Sequence, residues 1–441
     1  GRCRECRRRQ LNLVESVAAH RLAGVSTRWG IAGPGKMAAA MVADFGQVSN
    51  GSLVAVGSRS EGRAREFADE HGIPKAHGSY AALLADPEVD AIYIATPHPQ
   101  HTDVALSAIE AGKAILVEKA FTATVSDTER IVDAARGAGV FAMEAMWTRF
   151  NPGIVRVREL VDAGAIGQVR GVQGDLTAFR TFDPEDRLFA PELGGGAVLD
   201  LGVYVLSFAQ YFLGTPDVVH AHGGLFPSGV EGEFGVLLGY DDGRSATLSG
   251  AFTAYGPGRM MLIGSEGWID VHPRFHRAPS ITVWRGKEQV GTEEFTPGYH
   301  HEVIHVGECL AQGLTESPIM PLDDTIAVQR LMQEVLDQVA HAVRFGQQRV
   351  GGQRGGEQFG MGVDDLQRGD DGGQRAAQLM GGVADELPLR RVAGLDAFEH
   401  LVHRAGQRGD LVAGGGHGHP LGQIGCRYRS HLGSDGIHRT Q

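Results

Sequence analysis

The sequence predicts an α/β protein: an N-terminal Rossmann domain, then a C-terminal α+β domain with an open, mostly antiparallel sheet. Three observations carry that prediction. Between residues 28 and 119, short apolar runs alternate with helix-forming ones, the pattern of parallel strands joined by crossover helices. The first run, Arg28-Trp29-Gly30-Ile31-Ala32, passes directly into Gly33-Pro34-Gly35-Lys36-Met37-Ala38. That is G-x-G-x-x-A between a strand and a helix, the context in which this pattern marks a dinucleotide site. Beyond about residue 149 the period becomes two: VRGVQGDLTAFR, EFGVLLGYDDGRSATLSGAFTAYG, RMMLIGSEGWIDVH and SITVWRG alternate apolar with polar residues. Half-buried antiparallel strands read this way, and Asp242-Gly243 is a strong hairpin turn.

Bulk properties narrow the function classes. The 441 residues allow two or three domains, and 42% hydrophobic residues supply a core. A net charge of −12 excludes the basic face that nucleic-acid binding needs. Four cysteines in this length are no disulfide framework, and the reading is a cytoplasmic protein. No apolar run is read as reaching the roughly 18 residues of a membrane span. No metal is expected: Cys3-x-x-Cys6 has no second pair nearby, and His417 and His419 sit in a glycine tract. Arg8-Arg9-Gln10-Leu11 resembles an export signal only faintly, because Glu15, His20 and Arg21 make the next segment too polar. Residues 1–27 are read as a disordered extension. Residues 344–441, rich in Gly, Arg, Gln and His without a lysine, are read as a disordered tail or non-native read-through. The nucleotide-binding domain is then 28–148, and the substrate and oligomerisation domain 149–343.

Each element before residue 204 adds a candidate group. Gly33 permits the tight turn, Gly35 lets backbone amides reach a pyrophosphate, and the helix opening at Lys36-Met37 presents unpaired N–H groups to it. The second strand, Ser52–Gly57, ends in Ser58-Arg59-Ser60. A ribose 2′-OH would want an acid here. The arginine fork suits a 2′-phosphate, so NADP is favoured, with Glu61 keeping NAD open. The strand Asp90–Ala95 opens into Thr96-Pro97-His98-Pro99-Gln100-His101, at the crevice end of a parallel sheet. His101 is either a cap for the helix TDVALSAIEAG or a ligand contact. The next strand ends in Glu118-Lys119, a lysine placed to favour ionisation of a neighbouring hydroxyl or to pair with Glu118. Finally, Gly194–Tyr204, GGGAVLDLGVY, joins a glycine loop suited to close ligand approach with a helix placing Asp200 and Tyr204 on one face.

GIAGPGKMA, ATPHPQH, VEKA and GGGAVLDLGVY, in this order and spacing, resemble the glucose–fructose oxidoreductase/inositol dehydrogenase (Gfo/Idh/MocA) family over residues 28 to 343. EAMWTRF and PELGGGAVLDLGVY look most like its branch of dimeric trans-dihydrodiol dehydrogenases and NADP-dependent D-xylose dehydrogenases. Ala120 stands where the family usually has proline, and His98 where it often has asparagine. The resemblance implies a sugar or vicinal-diol substrate, and a homodimer or tetramer formed through the exposed sheet face. It implies Tyr204 as acid/base, Lys119 stabilising the phenolate and Asp200 orienting substrate or lysine. The expected cofactor contacts are Gly33, Gly35, Lys36, Met37, Ser58, Arg59, Thr96, Pro97, His98, His101, Glu118 and Lys119. Trp147, Arg149, Phe179 and Phe189 are candidates for lining the substrate pocket, or for core packing. The alternatives are an enzyme like glucose–fructose oxidoreductase with tightly bound NADP, and a non-catalytic NADP-binding regulator.

Overall fold

A computed structural model of the chain describes residues 26–352. The expectations for residues 1–25 and 353–441 lie outside the described residues.

The first sheet holds β1 (Thr27–Ala32), β2 (Gly51–Gly57), β3 (Lys75–His77), β4 (Ala91–Ile94), β5 (Ala114–Glu118) and β6 (Ala142–Ala145). All pair in parallel, in the order β3-β2-β1-β4-β5-β6. This is the Rossmann order, and the direction of winding reverses between β1 and β4, where such folds open a ligand crevice. β4 and β5 are buried throughout, which explains their unbroken apolar sequences. The helices Glu61–His71 and Val125–Ala138 are capped by Ser60 and Thr124. The helix Lys36–Phe45 has Gly35 at its N-cap and no side-chain cap, so its first amides remain available.

The second sheet runs β14-β13-β12-β11-β7-β10-β9-β8. Its strands are β7 (Val169–Thr177), β8 (Val218–Leu225), β9 (Glu231–Gly239), β10 (Ser245–Ala251), β11 (Met260–Gly264), β12 (Gly267–Val271), β13 (Ser280–Arg285) and β14 (Glu288–Glu294). Every neighbouring pair is antiparallel except β7 with β10. Asp242-Gly243 makes the expected turn between β9 and β10, with Gly243 at φ 83°. On β9, Phe234, Val236 and Leu238 face the core while Glu233 and Leu237 face out. The core side packs on the helices Val203–Leu213 and Leu322–Gly352. The opposite face carries Trp268 stacked on its cross-strand partner Trp284, 5.0 Å between centroids and 4° between planes.

One sequence expectation is corrected here, and two open alternatives are decided. Pro191–Leu213 does reach the length and mean hydropathy (1.4) of a membrane span. It is 89% buried inside the protein, so its apolarity belongs to a core helix. For Arg149 the packing alternative holds. It is 2% exposed, and its guanidinium donates to Asp324 (2.7 Å), Gln210 (2.8 Å) and the Ile319 carbonyl (3.2 Å), tying the start of the second domain to the last helix. Phe189 is likewise 2% exposed, in a cluster with Phe182, Phe226 and Phe252.

Candidate active site

The carboxyl ends of β1, β2, β4 and β5 bring the predicted groups to one edge of the first sheet. Gly33, after β1, has φ 99°, and a Cβ there would lie 3.0 Å from the Ala95 carbonyl oxygen, so only glycine fits. A Cβ on Gly35 would meet nothing within 4 Å. Lys36 is exposed and Met37 half-buried at the uncapped helix start. Ser58 is buried after β2, while Arg59 is exposed and has no ion-pair partner among the described residues. After β4, Thr96 is buried with its hydroxyl oxygen unpartnered. An open glycine approach, free helix amides and an orphaned hydroxyl fit a dinucleotide along this edge.

The two histidines hold the crevice walls together. The helix after β4 starts at His98, one turn earlier than the sequence suggested, because Pro97 serves as N-cap and Pro99 suits the first turn. His101 is therefore inside the helix, fully buried, with its ring nitrogens 2.6 Å from the Thr96 carbonyl oxygen and 3.1 Å from that of Phe121. It is a strut and neither the cap nor a ligand contact. His98 sits 3.1 Å from the Gly194 carbonyl oxygen and 3.2 Å from that of Lys119. Burial, then His101 and Lys119, push its pKa down to about 3, so the imidazole is neutral and donates to one of them.

The glycine loop is also less open than its sequence implied. A Cβ on Gly194 (φ 68°) would touch His98, one on Gly195 the Leu188 carbonyl, and one on Gly196 (φ 111°) the Glu231 carboxylate. These glycines let the loop pack against protein. Glu231 accepts the Val198 amide (3.2 Å) and fixes the start of the helical segment. That segment opens with a wide i→i+5 turn, Val198–Gly202, before the α-helix Val203–Leu213.

Asp200 and Tyr204 both face Lys119. The ammonium donates to the Asp200 carbonyl oxygen (3.0 Å), lies 3.5 Å from its carboxylate, and stands 4.7 Å from the centre of the Tyr204 ring. Burial alone would lower the Lys119 pKa, but Asp200, Tyr204 and Glu118 outweigh it and raise it. Burial pushes Asp200 up, and Lys119 and Arg187 outweigh it to leave it below the usual carboxylate range. Tyr204 goes the other way: burial raises its pKa more than Lys119 and Trp147 lower it. The charge of Lys119 therefore offsets burial without overcoming it, and Tyr204 is protonated in this state. Trp147 donates its indole N–H to the Tyr204 oxygen at 3.0 Å. Phe179 is 40% exposed and stacks on Tyr255, outside this cluster.

Sequence reasoning missed Arg187, 3.5 Å from the Asp200 carboxylate, and the pair His276 and Tyr299, whose rings lie against Trp147. None carries a local signal; folding brings them from separate segments.

Behind Lys119 lie three more carboxyls. Glu118 accepts from the Tyr93 hydroxyl and from the Lys119 amide (3.1 Å), Glu144 accepts the Phe121 amide (3.1 Å), and both oxygens of Glu302 are unpartnered. Burial raises all three pKa values, that of Glu144 to about 7 and that of Glu302 well above its ordinary value. A carboxyl raised on folding stabilises the fold most below its unfolded pKa, and loses that stabilisation as pH rises through the folded value. For Glu144 the window runs from roughly 4.5 to 7 and corresponds to about 3 kcal/mol. Glu144→Gln should thus gain thermal stability over the parent at pH 8 and none at pH 4.5; thermal melts at both pH values check this, and parallel curves would contradict it.

A Rossmann crevice with a glycine turn at one end and a lysine–aspartate–tyrosine cluster at the other defines a dinucleotide-dependent oxidoreductase. Residues 27–146 match the family model described as an oxidoreductase family with NAD-binding Rossmann fold, and 154–270 match the GFO/IDH/MocA C-terminal domain. The chain belongs to the Gfo/Idh/MocA family. It is 35% identical over 329 residues to the trans-1,2-dihydrobenzene-1,2-diol dehydrogenase of Xenopus laevis, covering 71% of this chain and 98% of the relative. Against the Mus musculus enzyme of the same name it is 33% identical over 336 residues, covering 72% and 97%. Among solved structures, an aldose-aldose oxidoreductase from Caulobacter crescentus, complexed with glycerol, superposes with a TM-score of 0.66 at 25% identity, covering 72% of this chain and 98% of that one.

Proposed function

We propose that this chain is an NADP-dependent dehydrogenase of a vicinal diol or sugar alcohol, with Tyr204 as acid/base. The observation that carries the reading is the ammonium of Lys119 held between the Tyr204 ring and Asp200. A buried cation fixed beside a phenol stabilises the phenolate when the proton moves, and a sensor of nucleotide needs no such pair. When bound, NADP supplies the hydride acceptor. Gly33, Gly35, Lys36 and Met37 would hold its pyrophosphate, Ser58 and Arg59 its 2′-phosphate, and Thr96, Pro97 and His98 its nicotinamide side. Glu118 hydrogen-bonds the backbone of Lys119 and the Tyr93 hydroxyl. In oxidation, Tyr204 gives up its own proton first and, as the phenolate beside Lys119, takes the proton of the substrate hydroxyl, while Asp200 keeps Lys119 in place. In reduction, the protonated Tyr204 returns it. The relatives' names support the diol, and the aldose-acting structural neighbour supports the sugar. We assign the homodimer or tetramer interface to the outer face of the second sheet, which carries the Trp268–Trp284 stack and, four strands from Trp268, the exposed Leu237.

The test is NADP and NAD reduction by the purified protein with trans-dihydrobenzenediol, D-xylose and D-glucose. Turnover of a diol or sugar is expected, with Arg59→Ala raising KM for NADP about tenfold and sparing NAD, an effect typical of one charge-assisted contact. Nucleotide binding without turnover of any alcohol would replace the enzyme with a regulator.

A further inference from the structure

We propose that Trp147 is a positioning residue that acts through Tyr204: its indole N–H fixes the phenol oxygen and stabilises it as the phenolate. The proposal rests on the assignment of Tyr204 as acid/base.

An indole N–H can only donate. At 3.0 Å from Nε1, the Tyr204 oxygen must accept from Trp147. The phenol's own proton therefore points elsewhere, and is left to exchange with a substrate. When the proton leaves, the same bond becomes charge-assisted and strengthens, so it favours the ionised form over the neutral one.

The indole is held for this task. Trp147 begins the short helical turn Trp147–Phe150 and is 5% exposed, and Tyr204 is 8% exposed. One face of the indole stacks on Tyr299 at 4.3 Å and 28°. His276 meets it edge-on at 5.9 Å, and the His276 carbonyl accepts from Thr148 (3.0 Å) and Asn151 (3.3 Å) in the same turn. The Arg277 guanidinium lies 6.0 Å from the indole centre. So enclosed, the ring offers little face for a substrate to stack upon.

The remaining groups around Tyr204 define what the N–H adds. Lys119 favours the phenolate, whereas Glu118 and Asp200 oppose it. Burial, then Tyr204 and Glu118, push the Tyr299 pKa up, so its hydroxyl stays protonated. His276, 5.3 Å away, is neutral because burial, with help from Arg277, Lys119 and Arg274, pushes its pKa down to about 3. Lys119 supplies the charge that favours ionisation, and the Trp147 N–H supplies a directed bond.

Replacing Trp147 by benzothienylalanine swaps N–H for sulfur in a ring of the same shape and leaves the Tyr299 stack; Trp147→Phe is the simpler companion. In alcohol oxidation, the rise of kcat with pH should move up by about one unit, the scale of one hydrogen bond to a charged group. At fixed pH below that rise, kcat should fall about tenfold, with the high-pH plateau preserved and KM within twofold. Ultraviolet titration of the phenolate, taken as the difference from the matching Tyr204→Phe protein, should show the same one-unit rise without any cofactor present. An unmoved titration would overturn the proposal, as would a tenfold KM increase with an unmoved kcat profile, which makes Trp147 a substrate platform. The two readouts also separate the ideas. Full activity in Tyr204→Phe removes the acid/base reading, whereas an unmoved titration with Tyr204→Phe inactive removes only the role of Trp147.

Discussion

Tyr204→Phe is expected to lower kcat by roughly 10²–10⁴-fold, the usual contribution of a positioned acid/base, while the affinity for NADP stays within about twofold. The substitution deletes one oxygen atom. The ring keeps its place over Lys119, and the groups expected to hold the nucleotide sit at the ends of β1, β2 and β4. What is lost is the phenol oxygen assigned to take a proton from the alcohol and return it. The Trp147 N–H is left without its acceptor, at a cost of about 1–3 kcal/mol, so circular dichroism should accompany the kinetics. The residual rate should also lose its dependence on pH through the Tyr204 ionisation, since no group of that kind remains in the step. Steady-state NADPH absorbance and a nucleotide-binding titration measure both halves of the prediction. Retention of a tenth or more of the parental turnover in a folded protein would remove Tyr204 from the reaction.

The parts of the site that the sequence exposed are those whose geometry is local. Gly33 and Gly35 announce themselves because a strand, a two-glycine turn and a helix are contiguous. Lys119 does so because it ends a buried strand. Asp200 and Tyr204 were paired by a spacing of four, and that pairing survives the wide turn at Val198–Gly202, since both side chains still reach Lys119. The parts that were hidden depend on distant segments. Arg187 arrives from the short helical turn Arg187–Phe189 and His276 and Tyr299 from loops, and nothing in their neighbours distinguishes them from surface residues. The errors have the same origin. His101 was read as a helix cap or a ligand contact because the helix was taken to begin at Thr102, yet prolines are at home at a helix start and this one begins at His98. The triple glycine looked like space for a ligand, yet His98, Leu188 and Glu231 fill that space.

Arg149 is the candidate pocket residue with the largest consequence for stability. Replacing it by methionine is expected to cost about 3–5 kcal/mol, the range for breaking a buried ion pair by removing one partner. The cost arises on the other side of the pair. Asp324 keeps only the Gln210 amide (2.9 Å), and the Ile319 carbonyl and the Gln210 side-chain oxygen lose a charged donor in the interior. The guanidinium also lies 4.7 Å from the Tyr211 ring centre, a contact that methionine replaces only in part. If the loss comes from an uncompensated charge, Arg149→Met combined with Asp324→Asn should recover a substantial share of it, which two packing defects would not do. Urea unfolding of the two single variants and the double variant measures this coupling directly. KM for the alcohol should stay within about twofold wherever the protein is folded, because Arg149 contacts Ser207, Gln210, Ile319 and Asp324 and none of Lys119, Asp200 or Tyr204. A stable Arg149→Met protein with a raised KM would put the arginine back among the groups that hold the substrate.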